Sequence, residues 1–194
     1  MYAICEGNKI KIKNKIVLPN SLGHFYTAMC QFIGFNYFGE EYKVMGLAPY
    51  GADNYSDQMN KIVKISNEEG FKLEEKFFNM QKGLSEAQLG DKKAMRLGNL
   101  YSNEIVKMFG EPRKRDQDIT QREKDIAKST QKHFERAAKQ CLDNINEITP
   151  INNLVMAGGC ALNGVMNAKI YRDFNVSKMY LQCASSDDGT AIGA

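Results

Sequence analysis

The sequence predicts an α/β fold, and three stretches predict it. The last third alternates strand, helix and strand: an apolar run at 154–157, a helical pattern at 161–174, and KMYLQC at 178–183. The first of these strands ends in Gly158-Gly159 and turns at once into the helix. That arrangement sets free backbone N–H groups at a helix N-terminus. Upstream, Thr120-Gln121-Arg122-Glu123 has the form of a capping box and opens a long amphipathic helix.

Composition narrows the function classes. The 194 residues suffice for one domain with a real core, or for part of a larger one. With 43% apolar and 25% charged residues the chain resembles an ordinary globular protein. A net charge of +3 is too small to argue for nucleic acid, and the lysines at 9, 11, 13 and 15 read as a solvated face. No apolar run approaches the ~18 residues of a membrane helix, so no membrane partner is expected. Met1-Tyr2-Ala3-Ile4-Cys5 runs into a charge, which is not the pattern of a signal peptide. Five widely spaced cysteines without a C-x-x-C pair argue against a disulfide framework or structural zinc, and point to a reduced, cytoplasmic setting. Two histidines, His24 and His133, cannot build a multi-histidine metal site within this chain.

Taken in order, the first segment reads as a hairpin turning at Glu6-Gly7-Asn8, with Ile10, Ile12 and Ile16 on one face. Pro19-Asn20-Ser21 starts a helix, in which Leu22, Phe25, Tyr26, Met29, Phe32 and Ile33 recur at threes and fours. Ser21 suits the N-cap and Gly34 the stop. GEEYKVMGLAPYG at 39–51 holds three glycines, a proline and two carboxylates beside a lysine, around one short helical turn. Residues 52–111 are polar and irregular. Ile62, Val63, Ile65, Phe71, Leu73, Phe77 and Phe78 suggest a small hairpin-like insertion there. In the helix from Thr120, Ile126, Thr130, Phe134, Ala137, Cys141 and Ile145 form one stripe, with His133 beside it as a partly packed surface residue. The tail at 190–194 has the look of another helix's first turn.

The chemistry lies in the glycine turn and in SSDDG at 185–189. A Gly-Gly turn is either a tight turn or room for a ligand to approach the backbone. Asn163, next to that turn, suits a ribose or phosphate oxygen. The dinucleotide fingerprint G-x-G-x-x-G is absent. Asp187 and Asp188 each read first as a helix N-cap and second as a metal ligand at a strand's C-terminal end, where open α/β sheets bind ligands. Cys160 and His24 read as packing residues.

Together SLGHFYTAMCQFIGF, GEEYKVMGLAPYG, ITQREKDIAKSTQ, LVMAGGCALNGVMN and QCASSDDGTAIGA resemble, in order and style, the NodU-type O-carbamoyltransferases, from about Pro19 to Ala194. The resemblance implies an actin/sugar-kinase/Hsp70-like ATPase fold built on RNase H-like α/β halves, similar to the threonylcarbamoyl-transferase domain of tRNA modification. It implies an enzyme that moves a carbamoyl group from carbamoyl phosphate, through an ATP-derived carbamoyl adenylate, to a hydroxyl of a sugar, antibiotic or other small-molecule acceptor. A divalent metal, commonly iron, assists. Matched residue by residue, Asp187 resembles the family's metal-ligand aspartate, preferred to Asp188 as the first of the pair. Gly158, Gly159 and Asn163 match the nucleotide-contacting turn, and Glu40, Lys43 and Gly46 match a loop facing the phosphates.

The resemblance places a histidine pair for the metal upstream and a YrdC-like domain downstream. Residues 1–194 are therefore expected to be a partial catalytic domain, inactive alone, with 52–111 as an insertion. Residue 24 is histidine where the family carries an aliphatic residue, and residue 160 cysteine where valine is common. The competing readings are a sugar-kinase-like phosphotransferase on the same superfold and a non-catalytic nucleotide-binding or scaffold fragment.

Overall fold

The computed structural model describes residues 1–89 and 95–193. Ala194, the last residue of the expected final helix, and residues 90–94 of the expected insertion lie outside the described residues. Strands β1 (Tyr2–Glu6) and β2 (Lys9–Asn14) pair antiparallel around Gly7-Asn8, with Cys5 opposite Ile10. Period two puts Ile10 and Ile12 on one face of β2, and that face is open: they are 71% and 46% exposed. Ile16, beyond the strand, packs against the core.

Helix α1 (Leu22–Phe32) starts where the Ser21 hydroxyl accepts the His24 amide at 3.3 Å. Its five patterned apolar residues are buried, and so is Ile33 just past its end. The chain leaves it through Gly34 at φ +90°, against which the Arg113 guanidinium packs too closely for a β-carbon. Helix α2 (Glu41–Leu47) follows and runs into a 3-10 turn, Ala48–Tyr50.

The stretch expected to be irregular is well built. It holds α3 (Ser56–Ile62), the antiparallel hairpin β3 (Val63–Ser66) and β4 (Gly70–Leu73), α4 (Met80–Ser85), the short strands β5 (Gln88–Leu89) and β6 (Met95–Arg96), and α5 (Asn103–Phe109). Its apolar residues do not stand apart. Ile62, Val63, Phe71, Leu73, Leu100 and Ile105 join the same core as α1.

The spine is α6 (Gln121–Asn146), with 26 residues, about 39 Å at 1.5 Å per residue. Its capping box is present: the Glu123 carboxylate accepts the Thr120 amide at 2.9 Å and the Thr120 hydroxyl at 2.6 Å. One flank of α6 buries the expected stripe. The other flank is covered too, by α3, β3 and β4. His133 is consequently not a surface residue. It is 2% exposed, its Nε2 lies 2.9 Å from the Val63 carbonyl, and its ring meets Phe25 edge-on.

Strands β7 (Asn153–Met156) and β8 (Lys178–Leu181) are parallel, with Val155 opposite Tyr180. Between them lie a 3-10 turn, Gly159–Leu162, and α7 (Gly164–Asp173). The crossover helix thus begins later than residue 161, because Asn163 caps it. After β8 come a 3-10 turn, Asp187–Gly189, and α8 (Thr190–Gly193). Among the described residues no helix is long and apolar enough to cross a membrane.

Candidate functional site

The two loops that follow the parallel strands are tied together. The Gly158 amide donates to the Ser185 carbonyl at 2.6 Å. Because β7 and β8 run in the same direction, both loops lie at the strands' C-terminal ends, the side on which open α/β sheets take ligands. Gly158, Gly159, Asn163 and Asp187 are therefore brought to one edge of the molecule.

The two glycines have different physical reasons. Gly158 stands at φ +98°, where a side chain is strained, so the turn itself demands it. Gly159 has no such backbone need. Among the described residues a β-carbon there would meet only the Ser186 hydroxyl, at 3.8 Å. The outer side of the turn is clear for something other than this chain. Gly46 repeats the pattern: it sits inside α2, where glycine costs up to ~1 kcal/mol relative to alanine, and among the described residues nothing lies within 4 Å of its β-carbon position.

Asn163 spends most of its amide internally. Its Oδ1 accepts the Met166 amide at 3.0 Å, which caps α7, and Gln131 Nε2 at 3.0 Å. Its Nδ2 donates to Gln131 Oε1 at 2.9 Å. The same Oε1 accepts the Tyr26 hydroxyl at 2.6 Å, and Gln131 Nε2 donates to Glu135 at 2.8 Å. Lys169 pairs with Glu135. Burial pushes the Tyr26 phenol well above its ordinary range, so it stays a donor.

Asp187 and Asp188 are both exposed. The Thr190 hydroxyl donates to the Asp187 carbonyl at 2.6 Å, and Gly189 folds back so tightly on the Ala184 carbonyl that no β-carbon fits. Among the described residues no group of three His, Cys, Asp or Glu side chains is placed to hold a metal ion. Cys160 illustrates a contest between two effects. A helix N-terminus favours thiolate, but burial wins here and pushes the thiol up to about 11.

The loop carrying Glu40, Lys43 and Gly46 sits on a different element. Glu40 accepts Arg115 at both ends of the guanidinium, each at 2.7 Å, together with Lys43 Nζ at 2.5 Å and the Tyr37 amide at 3.1 Å. Burial would raise its pKa, but these donors outweigh it and hold the carboxyl down at about 2. Arg115 also lies over the Tyr37 ring at 4.4 Å and reaches into a cavity of about 940 Å³, shared with Arg96, Tyr101 and Arg113. The two groups of residues are joined through adjacent positions of α1. Tyr26 reaches Gln131, and the Thr27 hydroxyl donates to Glu41 at 2.7 Å. Arg115, Gln131 and Glu135 escaped sequence reasoning. The one available hint was a glutamine and a glutamate at i, i+4 on α6, where polar residues normally face water.

What these elements offer is an open backbone turn, a neighbouring carboxylate and a loop whose cations are paired with Glu40. The chain belongs to the carbamoyltransferase family: its "Carbamoyltransferase N-terminus" domain matches residues 1–194. Among its relatives, an uncharacterised protein of Synechocystis sp. is 33% identical over 191 residues, covering 97% of this chain and 29% of that protein. The nodulation protein NolNO of Sinorhizobium fredii is 29% identical over 195 residues, covering 100% of this chain and 25% of that protein. The nodulation protein NolO of Bradyrhizobium diazoefficiens is 30% identical over 177 residues, covering 90% and 28%. The chain thus spans between a quarter and a third of the length of these relatives.

Proposed function

We propose that this chain supplies the nucleotide-facing part of an O-carbamoyltransferase. The complete protein would take a carbamoyl group from carbamoyl phosphate, carry it as carbamoyl adenylate made with ATP, and pass it to a hydroxyl of a sugar or natural-product acceptor. A YrdC-like domain would make the adenylate. The frame we propose is the actin/sugar-kinase/Hsp70-like ATPase fold, with β7, α7 and β8 as one piece of an RNase H-like half.

The observation that carries this reading is the clear outer side of Gly159, beside the Asp187 loop and at the C-terminal ends of parallel strands. The amides opening the 3-10 turn at Gly159 suit a nucleotide phosphate. Asn163 suits a phosphate or ribose oxygen, and Lys43 a phosphate approaching past Gly46. In the transfer, the acceptor oxygen bonds to the carbamoyl carbon as that carbon's bond to the adenylate oxygen breaks; AMP leaves with the electron pair and the hydroxyl proton passes to solvent. The chain's part is to hold the adenylate still while this happens. A divalent metal such as iron would supply charge stabilisation when bound. The described residues do not fit a complete metal site, since Asp187 has the exposed Asp188 beside it in sequence but belongs to no group of three ligating side chains. We propose it as one ligand among others from beyond these residues.

The test uses the full-length protein, incubated with carbamoyl phosphate, ATP and a trial acceptor, with Asp187→Ala alongside. The expected result is pyrophosphate release in both proteins and carbamoyl transfer in the wild type only. ADP in place of AMP and pyrophosphate, or release indifferent to carbamoyl phosphate, overturns the proposal in favour of a kinase-like reaction.

A further inference from the structure

A cavity of about 940 Å³ opens between Arg96 of β6, Asn36 after α1, and residues 111–123, which lead into α6. Its described lining includes no residue of the glycine turn. The volume is near the top of the roughly 300–1,000 Å³ range of small-molecule sites, far more than a single anion fills. The wall holds five cations against three carboxylates, and their pairing decides the field. Glu123 closes the capping box and pairs with Arg122 at 3.3 Å. Glu40, bonded to Arg115 of the wall, faces Lys43 as a second cation. Arg113 is 8% exposed and has no carboxylate partner among the described residues: its N–H groups go to the carbonyls of Ile33, Gly34, Lys114, Arg115 and Gln117. Glu111 and Asp118 are exposed, so water and salt screen them. Buried charge is screened much less, and the buried excess here is positive.

Four polar side chains of this wall are unspent. Among the described residues the Arg96 guanidinium and the Lys114 ammonium make no ion pair or hydrogen bond, and the Asn36 amide and Tyr101 hydroxyl have no hydrogen-bond partner. Arg96 nevertheless shares the Tyr37 ring with Arg115, their guanidinium carbons 5.7 and 4.4 Å from its centroid. Two like charges gathered on one ring, with a carboxylate for only one of them, leave a place for an anion. Burial first, and then the Glu111 charge, raises the Tyr101 pKa, so the phenol stays a donor. We propose that this cavity binds a phosphorylated sugar, its phosphoryl oxygens taken by Arg96 and Lys114 in the field of Arg113, and its hydroxyls by Tyr101 and Asn36. A doubly charged phosphoryl group suits more than one cation, where a carboxylate would need only one. Neutral donors beside the cations suit hydroxyls rather than more charge. The site goes beyond the carbamoyl reading and does not depend on it.

The test treats the full-length wild-type protein with phenylglyoxal, which modifies accessible guanidinium groups, and reads each arginine by peptide mass mapping. Glucose 1-phosphate is the probe; inorganic phosphate, carbamoyl phosphate and glucose are the comparisons. Glucose 1-phosphate is expected to protect Arg96 at lower concentration than either other phosphate, and glucose is expected not to protect it. Arg172, on α7 and outside the cavity, should react equally throughout. Calorimetry then separates the two ends of the ligand. Arg96→Gln, at an exposed position, should weaken glucose 1-phosphate binding by about tenfold, the size of one hydrogen bond to a charged group. Tyr101→Phe, which keeps the ring 5.5 Å from that of Phe32, should weaken glucose 1-phosphate and leave inorganic phosphate unchanged. Arg96 left unprotected by every phosphate, or protected equally by glucose, would overturn the site. Inorganic phosphate protecting as well as glucose 1-phosphate would reduce it to an anion pocket and overturn the sugar. Strongest protection by carbamoyl phosphate would reassign the cavity to the carbamoyl donor. No carbamoyl transfer is measured, so failure here leaves the carbamoyl reading standing, and failure of that reading leaves this site.

Discussion

Four hydrogen bonds converge on the Glu40 carboxylate, two from Arg115 and one each from Lys43 and the Tyr37 amide. A carboxyl held at about 2 instead of 4.5 is a stability statement with a definite pH window. The folded value is the depressed one, so the stabilisation is complete above about pH 4.5 and is lost as pH falls toward 2. Glu40→Gln should lower the unfolding free energy at pH 7 by roughly 2 kcal/mol, since it removes charge-assisted bonds from a mostly buried acceptor. Urea titrations of both proteins should show this gap closing between pH 4.5 and 2; a gap independent of pH would mean the charge is not what matters. The sequence displayed Glu40 beside Lys43 but not Arg115, which lies 75 positions away. Asn163 was legible as a residue near a glycine turn, but its caging by Gln131 across 32 positions was not. Local spacing shows what a residue is and hides which distant partner has already engaged it.

Helix α6 shows where periodicity succeeds and stops. Its capping box and its stripe through Ile126, Phe134 and Ala137 could be read directly, because both depend on spacings of three and four along one helix. Its second buried flank could not, because the burial of Asp125, Ser129 and His133 depends on what packs over them. Asp125 accepts the Ala52 amide and Asn54 Nδ2, each at 2.8 Å, and Ser129 accepts the Tyr55 amide at 3.1 Å. Polar residues that would face water on an isolated helix here tie down a loop. The start of α7 was missed for a related reason: 161–174 fits one helical period, but the Asn163 side chain satisfies the Met166 amide and sets the boundary there. Two substitutions on α6 should separate cap from core. Phe134→Ala, at a fully enclosed site, should cost about 3–5 kcal/mol, and Thr120→Ala about 1 kcal/mol. Equal losses in chemical denaturation would contradict the assignment of α6 as a core spine whose cap is secondary.

At the scale of the molecule, one core draws on α1, β3, β4, α5, α6 and α7. The apolar residues of 52–111 come in short runs separated by charges, which is why that stretch reads as an insertion although its side chains are shared with the rest. The α/β alternation was legible because the apolar run, the glycine turn and the crossover helix are consecutive in the chain. Which faces are covered was not: on the parallel pair β7 and β8, Val155 and Tyr180 lie opposite each other and are 70% and 61% exposed. The shared core also predicts a pH response for the whole fold. His24 on α1 and His133 on α6 are both held below 6.5, in each case first by burial. A folded pKa below the unfolded value means the native state favours the neutral ring, so stability is complete above about pH 6.5 and falls as the unfolded chain takes up protons below it. The slope for each histidine reaches at most about 1.4 kcal/mol per pH unit. Glu40 contributes nothing to this window, because its own lies at or below 4.5. Unfolding free energies measured from pH 7.5 to 5 should therefore decline in the wild type, and less steeply in His133→Gln, where the amide can still reach the Val63 carbonyl but carries no titrating proton. A flat profile in the wild type, or an unchanged slope in the variant, would mean that His133 takes up its proton without loss inside the fold.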